Sequence, residues 1–111
     1  MNASISGLEE LQDHSRDAAS LLKQMSNEHR LMILCALGAR EMSVGDLNGY
    51  IPLSQSALSQ HLANLRRADL VATRKESQTV YYRLKGEKAA RIIRVLQSIY
   101  CPDLLAASRD S

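Results

Sequence analysis

The sequence predicts a mainly α winged helix-turn-helix in the order α-α-α-α-β-β-α, and three observations predict it. Residues 54–68 read as an amphipathic helix whose outward face carries almost only hydrogen-bonding and basic side chains. A short capped helix and a proline-bearing turn precede it, and two β-rich runs separated by two residues follow it. In the first of these, Leu58, Leu62 and Leu65 recur at i, i+4 and i+7 and make a narrow apolar stripe that anchors the helix to a core. Ser56, Gln60 and Arg67 project nearly opposite that stripe, with Ser59 and Asn64 on its flanks.

Ser54 is placed as the N-cap, because its hydroxyl can accept from an unpartnered amide of the first turn, and Pro52 discourages helical continuation from the segment before. Upstream, Ser43 to Tyr50 predicts a short helix with Ser43 as N-cap, Asp46 in its first turn and Val44 and Leu47 facing inward. Ile51, Pro52 and Leu53 then form the turn of a helix-turn-helix spanning about 43–68. Val71–Glu76 and Thr79–Leu84, joined by Ser77 and Gln78, are strand-like and form a wing over about 71–84.

Two further helices flank this unit. In the first, about 8–25, Leu11, Ala18, Leu22 and Met25 make one apolar stripe with Leu8 beside it. In the last, about 87–100, Ala89, Ile92, Val95, Leu96 and Ile99 make another, which Ile93 and Tyr100 widen. The unbroken apolar run Leu31–Leu37 between them predicts a central helix buried on nearly all sides. A unit this small can hardly cover three such helices alone, so a homodimer through the terminal helices is expected, with two recognition helices in successive major grooves.

Composition bounds the function. A chain of 111 residues supports one domain, 1–111, and 45% hydrophobic content without Phe or Trp points to an aliphatic core. The net charge of +2 is unevenly placed: residues 54–84 hold five basic against two acidic side chains, whereas residues 1–24 hold two against four. No stretch suits a membrane span and the first residues lack the pattern of a signal peptide, so a cytoplasmic protein is expected, with the first few residues and the tail from about Leu104 disordered.

Short hydroxyl and amide side chains both donate and accept, so they can read base edges, while guanidinium groups hold phosphates. The expected partner is double-stranded operator DNA with an inverted repeat. Gln55, Arg66, Arg67, Arg74 and Lys75 are expected on its backbone, Ser56, Ser59 and Gln60 on base edges, Asn64 as an outer contact and Ser54 at the helix start. Arg83 at the wing base can reach flanking phosphates.

From about residue 20 to 101 the chain resembles the ArsR/SmtB family of small dimeric winged-helix regulators. The resemblance is carried by Met25–Leu34 entering the central helix, Glu41–Leu47 before the first helix of the motif, Leu53–Leu62 through the recognition helix and Thr79–Leu84 in the wing. It implies a dimer interface built from the outer helices and an inducer that releases operator DNA. The metal-sensing branch carries cysteines where this chain has Ser43 and Gly45, and neither residue supplies a soft ligand. Residues 87–100 contain no His, and His14, His29 and His61 lack the short spacings of a zinc site. No metal and no cofactor are expected, and a metal-responsive regulator is disfavoured.

Cys35 and Cys101 are the only cysteines. In a reducing compartment such a pair is either inert or a reversible switch. Cys35, within the apolar run, reads more readily as a small core hydrophobe, whereas Cys101, with Pro102 ending its helix, is expected to be accessible. The segments Ile33–Cys35 and Ser98–Pro102 resemble the two-cysteine branch of the family that includes persulfide-sensing sulfide repressors. That resemblance implies a disulfide or polysulfide bridge between the two, formed by an oxidant or reactive sulfur species acting as inducer, with reduced thiols in the DNA-bound state. The exposed Cys101 is then expected to react first and Cys35 to resolve it. A redox-inert winged-helix regulator remains an alternative. A cysteine-dependent enzyme fares worse, since His29 lies about 240° around the helix from Cys35 and no orienting Asp or Asn stands ready.

Overall fold

The computed structural model describes residues 3–103, in the order α1 (Ala3–Asp13), α2 (Ser15–Met25), α3 (Glu28–Ala39), β1 (Met42–Ser43), α4 (Val44–Asn48), α5 (Gln55–Arg67), β2 (Val71–Glu76), β3 (Thr79–Leu84) and α6 (Lys88–Tyr100). The winged helix-turn-helix is present as expected, with two additions. The N-terminal helix begins at Ala3 and divides at His14, whose backbone (φ −114°, ψ 9°) leaves the helical region, while the Ser15 hydroxyl donates to the Gln12 carbonyl freed there. Met42 and Ser43 form a short third strand on the far side of β3, giving the antiparallel order β1-β3-β2. The expectation for the tail from Leu104 lies outside the described residues.

Caps set the helix boundaries. The Asn27 side chain accepts from the His29 and Arg30 amides at 2.9 and 3.1 Å and starts α3. Ser43 and Asp46 form a reciprocal capping box at α4, each backbone amide donating to the other's side chain at 3.1 Å. The Ser54 hydroxyl accepts from the Ala57 amide at 3.1 Å and starts α5. At the other end of α5, Asp69 adopts φ 65°, its amide donates to the Arg66 carbonyl and the Leu70 amide reaches back to Leu65, a Schellman closure with aspartate where glycine is usual.

The core is aliphatic: Ile33, Leu34 and Leu37 from α3, Leu47 from α4, Ile51 from the turn, Leu58, Leu62 and Leu65 from α5, Val71 from β2, and Ala89 and Ile93 from α6. The apolar run on α3 is not enclosed on all sides. Met32 and Cys35 are exposed, because α2, α5, α6 and β3 pack against the other faces only. On α6, Ala89 and Ile93 turn inward with Ile92 and Leu96 beside them, whereas Val95, Ile99 and Tyr100 face out. The radius of gyration is 16.2 Å, above the about 13 Å of a compact domain of this length.

Candidate DNA-binding face and thiol pair

The face of α5 opposite its buried leucines is polar along its whole length. Ser56, Ser59, Gln60, Arg66 and Arg67 are exposed, and no carboxylate interrupts the helix. The Ser54 and Ser56 hydroxyls lie 3.3 Å apart at its N-terminus. Asn64 is half-buried, and its side-chain oxygen accepts from Gln60 Nε2 at 3.5 Å and from Arg67. It therefore links Gln60 and Arg67 on the polar side of the helix. The turn before α5 is tied by Asn48, whose amide donates to the Ile51 and Leu53 carbonyls at 3.3 and 2.8 Å.

Arg30 and His61 fix the helix from behind. Arg30 Nε donates to His61 Nδ1 at 3.3 Å, and its Nη1 donates to the Gln24 carbonyl and side chain, so one guanidinium joins α2, α3 and α5. Burial, then the charges of Arg30 and His29, hold the His61 imidazole below its ordinary pKa, in the neutral form that accepts this bond. The His29 and His61 rings lie 6.0 Å apart, a proximity that their spacing in sequence did not reveal. Among the described residues no set of three His, Cys, Asp or Glu side chains is placed to hold a metal ion.

On the wing, the two expected phosphate contacts differ. Lys75 is exposed and forms no salt bridge among the described residues. Arg74 lies over the Tyr81 ring at 4.7 Å and reaches across β3 to Glu41, with Nε and Nη2 at 2.8 and 2.7 Å from Oε1, while Nη1 lies 2.7 Å from Glu76. The register brings the two segments together: Tyr81 stands opposite Arg74 on one side and opposite Ser43, two residues after Glu41, on the other. The Arg74 hydrogen bond holds the Glu41 carboxyl below the usual carboxylate range. Two carboxylates hold Arg74 in the free chain, and both ion pairs are solvent-exposed, so a phosphate that meets Arg74 competes with them. Glu41 was not visible as a partner, since it lies 33 residues away in sequence.

Both cysteines are free thiols, and both are exposed. The expected reaction order rested on a buried Cys35; its exposure on the open side of α3 removes that ground. Gln97 Nε2 on α6 donates to Cys35 Sγ at 3.4 Å. Cys101 follows Gln97 by four residues, and its amide donates to the Gln97 carbonyl at 2.7 Å, which continues the helical hydrogen-bond pattern. Cys101 is the C-cap, with φ −132° and ψ 52°, and stands where α6 ends. The spacing was legible in sequence, but which side of α6 turned toward α3 was not.

The architecture is that of a winged-helix DNA-binding transcriptional regulator. A profile for "Bacterial regulatory protein, arsR family" matches residues 27–73. The chain is 53% identical over 94 residues to the transcriptional activator HlyU of Vibrio cholerae, covering 85% of this chain and 87% of that protein. It therefore belongs to the arsR family. Reduced HlyU from Vibrio cholerae superposes with a TM-score of 0.78 at 53% identity, covering 85% of this chain and 99% of that one. The transcriptional repressor BigR from Xylella fastidiosa superposes with a TM-score of 0.80 at 39% identity, covering 84% and 95%.

Proposed function

We propose that the chain acts in the cytoplasm as a homodimeric regulator whose α5 helices read an inverted-repeat operator, and whose affinity for it is set by a reversible bridge between Cys35 and Cys101. Ser56, Ser59 and Gln60 read base edges, Gln55, Arg66, Arg67 and Lys75 hold the backbone, and Ser54 fixes the start of the helix. The terminal helices supply the dimer surface. Leu8, Leu11 and Leu22 on α1 and α2, and Val95, Ile99 and Tyr100 on α6, are each more than half exposed, which is unusual for side chains this large in a lone domain.

The observation that carries the thiol reading is the Gln97 contact to Cys35, since Gln97 lies one turn before Cys101, whose amide bonds back to the Gln97 carbonyl where α6 ends. A bridge between these positions ties α3, which packs on α5, to α6, which carries the dimer surface. It thereby couples the thiol state to the separation of the two recognition helices. Among the described residues the groove at Cys35 is lined by no His, Asp, Glu or Asn, the side chains that would serve a cysteine nucleophile as base and orienter.

The test is operator binding by reduced protein and by protein whose two thiols have been linked with a disulfide, peroxide or polysulfide reagent, with the product identified by intact mass at matched protein concentration. Reduced protein is expected to bind and linked protein to release. Cys35→Ser and Cys101→Ser are each expected to bind and then fail to release. Linked wild-type protein that stays fully bound contradicts the thiol reading and leaves a redox-inert regulator.

A further inference from the structure

Cys35 stands at the rim of a groove of about 200 Å³ between the second half of α3 and α6. Its floor is small and apolar, made by Gly38, Ala39, Leu84, Ala90 and Ile93. The two polar residues that line it, Arg94 and Gln97, come from successive turns of α6. Gln97 holds the sulfur at the rim by donating to it at 3.4 Å. Arg94 is exposed, and among the described residues it forms no salt bridge and no acidic side chain lines the groove. The result is a small groove whose lining combines a free thiol, small and apolar side chains, a glutamine bonded to the sulfur and one arginine.

Resting on the thiol reading above, we propose that this groove is the docking site for the sulfur-transferring reagent, and that Arg94 selects reagents that carry a negative charge next to a sulfur–sulfur bond. A neutral peroxide gains nothing from Arg94, whereas a polysulfide dianion or a carboxylate-bearing disulfide is drawn to it. The chemistry is thiol–disulfide exchange. The Cys35 thiolate attacks one sulfur of R–S–S–R, forming Cys35–S–S–R and expelling RS⁻ with the bonding pair. The Cys101 thiolate then attacks the Cys35 sulfur and expels the second RS⁻, so the two cysteine sulfurs are oxidised and two RS⁻ are the reduced products. With a tetrasulfide dianion, the first step leaves Cys35–S–S⁻ and a trisulfide dianion. In the second, Cys101 displaces sulfide, which takes a proton from water.

The experiment isolates the first step in the full chain carrying Cys101→Ser. It follows modification of Cys35 by intact mass with three probes: tetrasulfide, the dicarboxylate dithiodiglycolate and the uncharged bis(2-hydroxyethyl) disulfide. Arg94→Gln is expected to slow both anionic probes by about fivefold and Arg94→Glu by more, while the uncharged probe changes by less than about twofold. Added salt should compress the difference. Arg91→Gln, which removes an exposed charge from the same helix outside the groove, is expected to leave the ratio of anionic to neutral rates unchanged. Loss of rate with dithiodiglycolate alone, or with tetrasulfide alone, supports the proposal for that reagent and identifies which anion the groove accepts. Rates with both anionic probes that stay the same in Arg94→Gln and Arg94→Glu as in the chain that keeps Arg94 overturn the proposal. This outcome is separable from failure of the thiol switch, in which Arg94 still sets the rate but the bridged protein keeps its operator.

Discussion

Lys75 and Arg74 are neighbours on β2, and the difference in their surroundings makes opposite predictions for them. Lys75→Ala should weaken operator and random DNA about equally and lower the slope of log K against log salt by roughly one per protomer. Arg74→Gln should leave that slope nearly unchanged, because its charge is already matched by Glu41 and Glu76. Its effect on stability should be close to that of Glu41→Gln, since both remove the ion pair between β2 and the residue before β1. Gln60→Ala should cost about 1–3 kcal/mol of discrimination between operator and random duplex, with little change in non-specific binding. His61 contributes a pH dependence. Its folded pKa lies below the ordinary histidine value, so the unfolded chain takes up a proton first, and the stability it contributes is lost as pH falls below about 6.5. Protonation also removes the Arg30 acceptor and adds a positive charge facing Arg30 and His29, while the Glu28 carboxylate lies 3.9 Å from His29. Thermal unfolding of the wild type should therefore drop more between about pH 7 and about pH 5.5 than that of His61→Gln. Parallel curves for the two proteins would exclude this role.

At the scale of elements, α5 is bounded by two interactions with separate energies. Ser54→Ala removes the cap and should destabilise the chain by about 1 kcal/mol. Asp69→Gly should do the opposite, because φ 65° strains any residue with a Cβ, and the gain of about 1 kcal/mol exceeds the worth of the exposed Asp69–Lys85 pair it gives up. Chemical denaturation of the two variants measures both. α5, its cap, the capping box at α4 and the two-residue wing tip were legible in sequence because each is specified by residues within four positions of one another. The break at His14 was not legible, since the apolar stripe continues through it. Nor was β1, which is two residues long and is a strand only because β3 offers it an edge. The open side of α3 was misread for a related reason: an all-apolar run reports composition, and only the partners that pack on it decide which of its faces stay exposed. The contacts that define the thiol site, and the wing lock, join residues dozens of positions apart, and no local pattern encodes them.

The molecule as a whole is extended, with principal extents of 57 × 36 × 23 Å, and its exposed large aliphatic side chains concentrate on the terminal helices. A two-fold partner covering α1, α2 and α6 would bury them and set two α5 helices about one helical turn of DNA apart. Ile99→Asp, on a side chain 60% exposed in the isolated chain, should leave the fold intact yet shift sedimentation from dimer to monomer and reduce operator affinity far more than binding to a single half-site. The central claim is that the polar face of α5 reads DNA as part of such a dimer. Its most direct test is the affinity of the reduced protein for an operator selected from a random duplex pool, and for a scrambled duplex, measured across a range of salt. The predicted result is a selected inverted repeat, bound more tightly than the scrambled duplex at every salt, with log K falling against log salt by about 0.9 for each of roughly 6–10 phosphates contacted. A flat salt response, or equal affinity for the two duplexes, would contradict it.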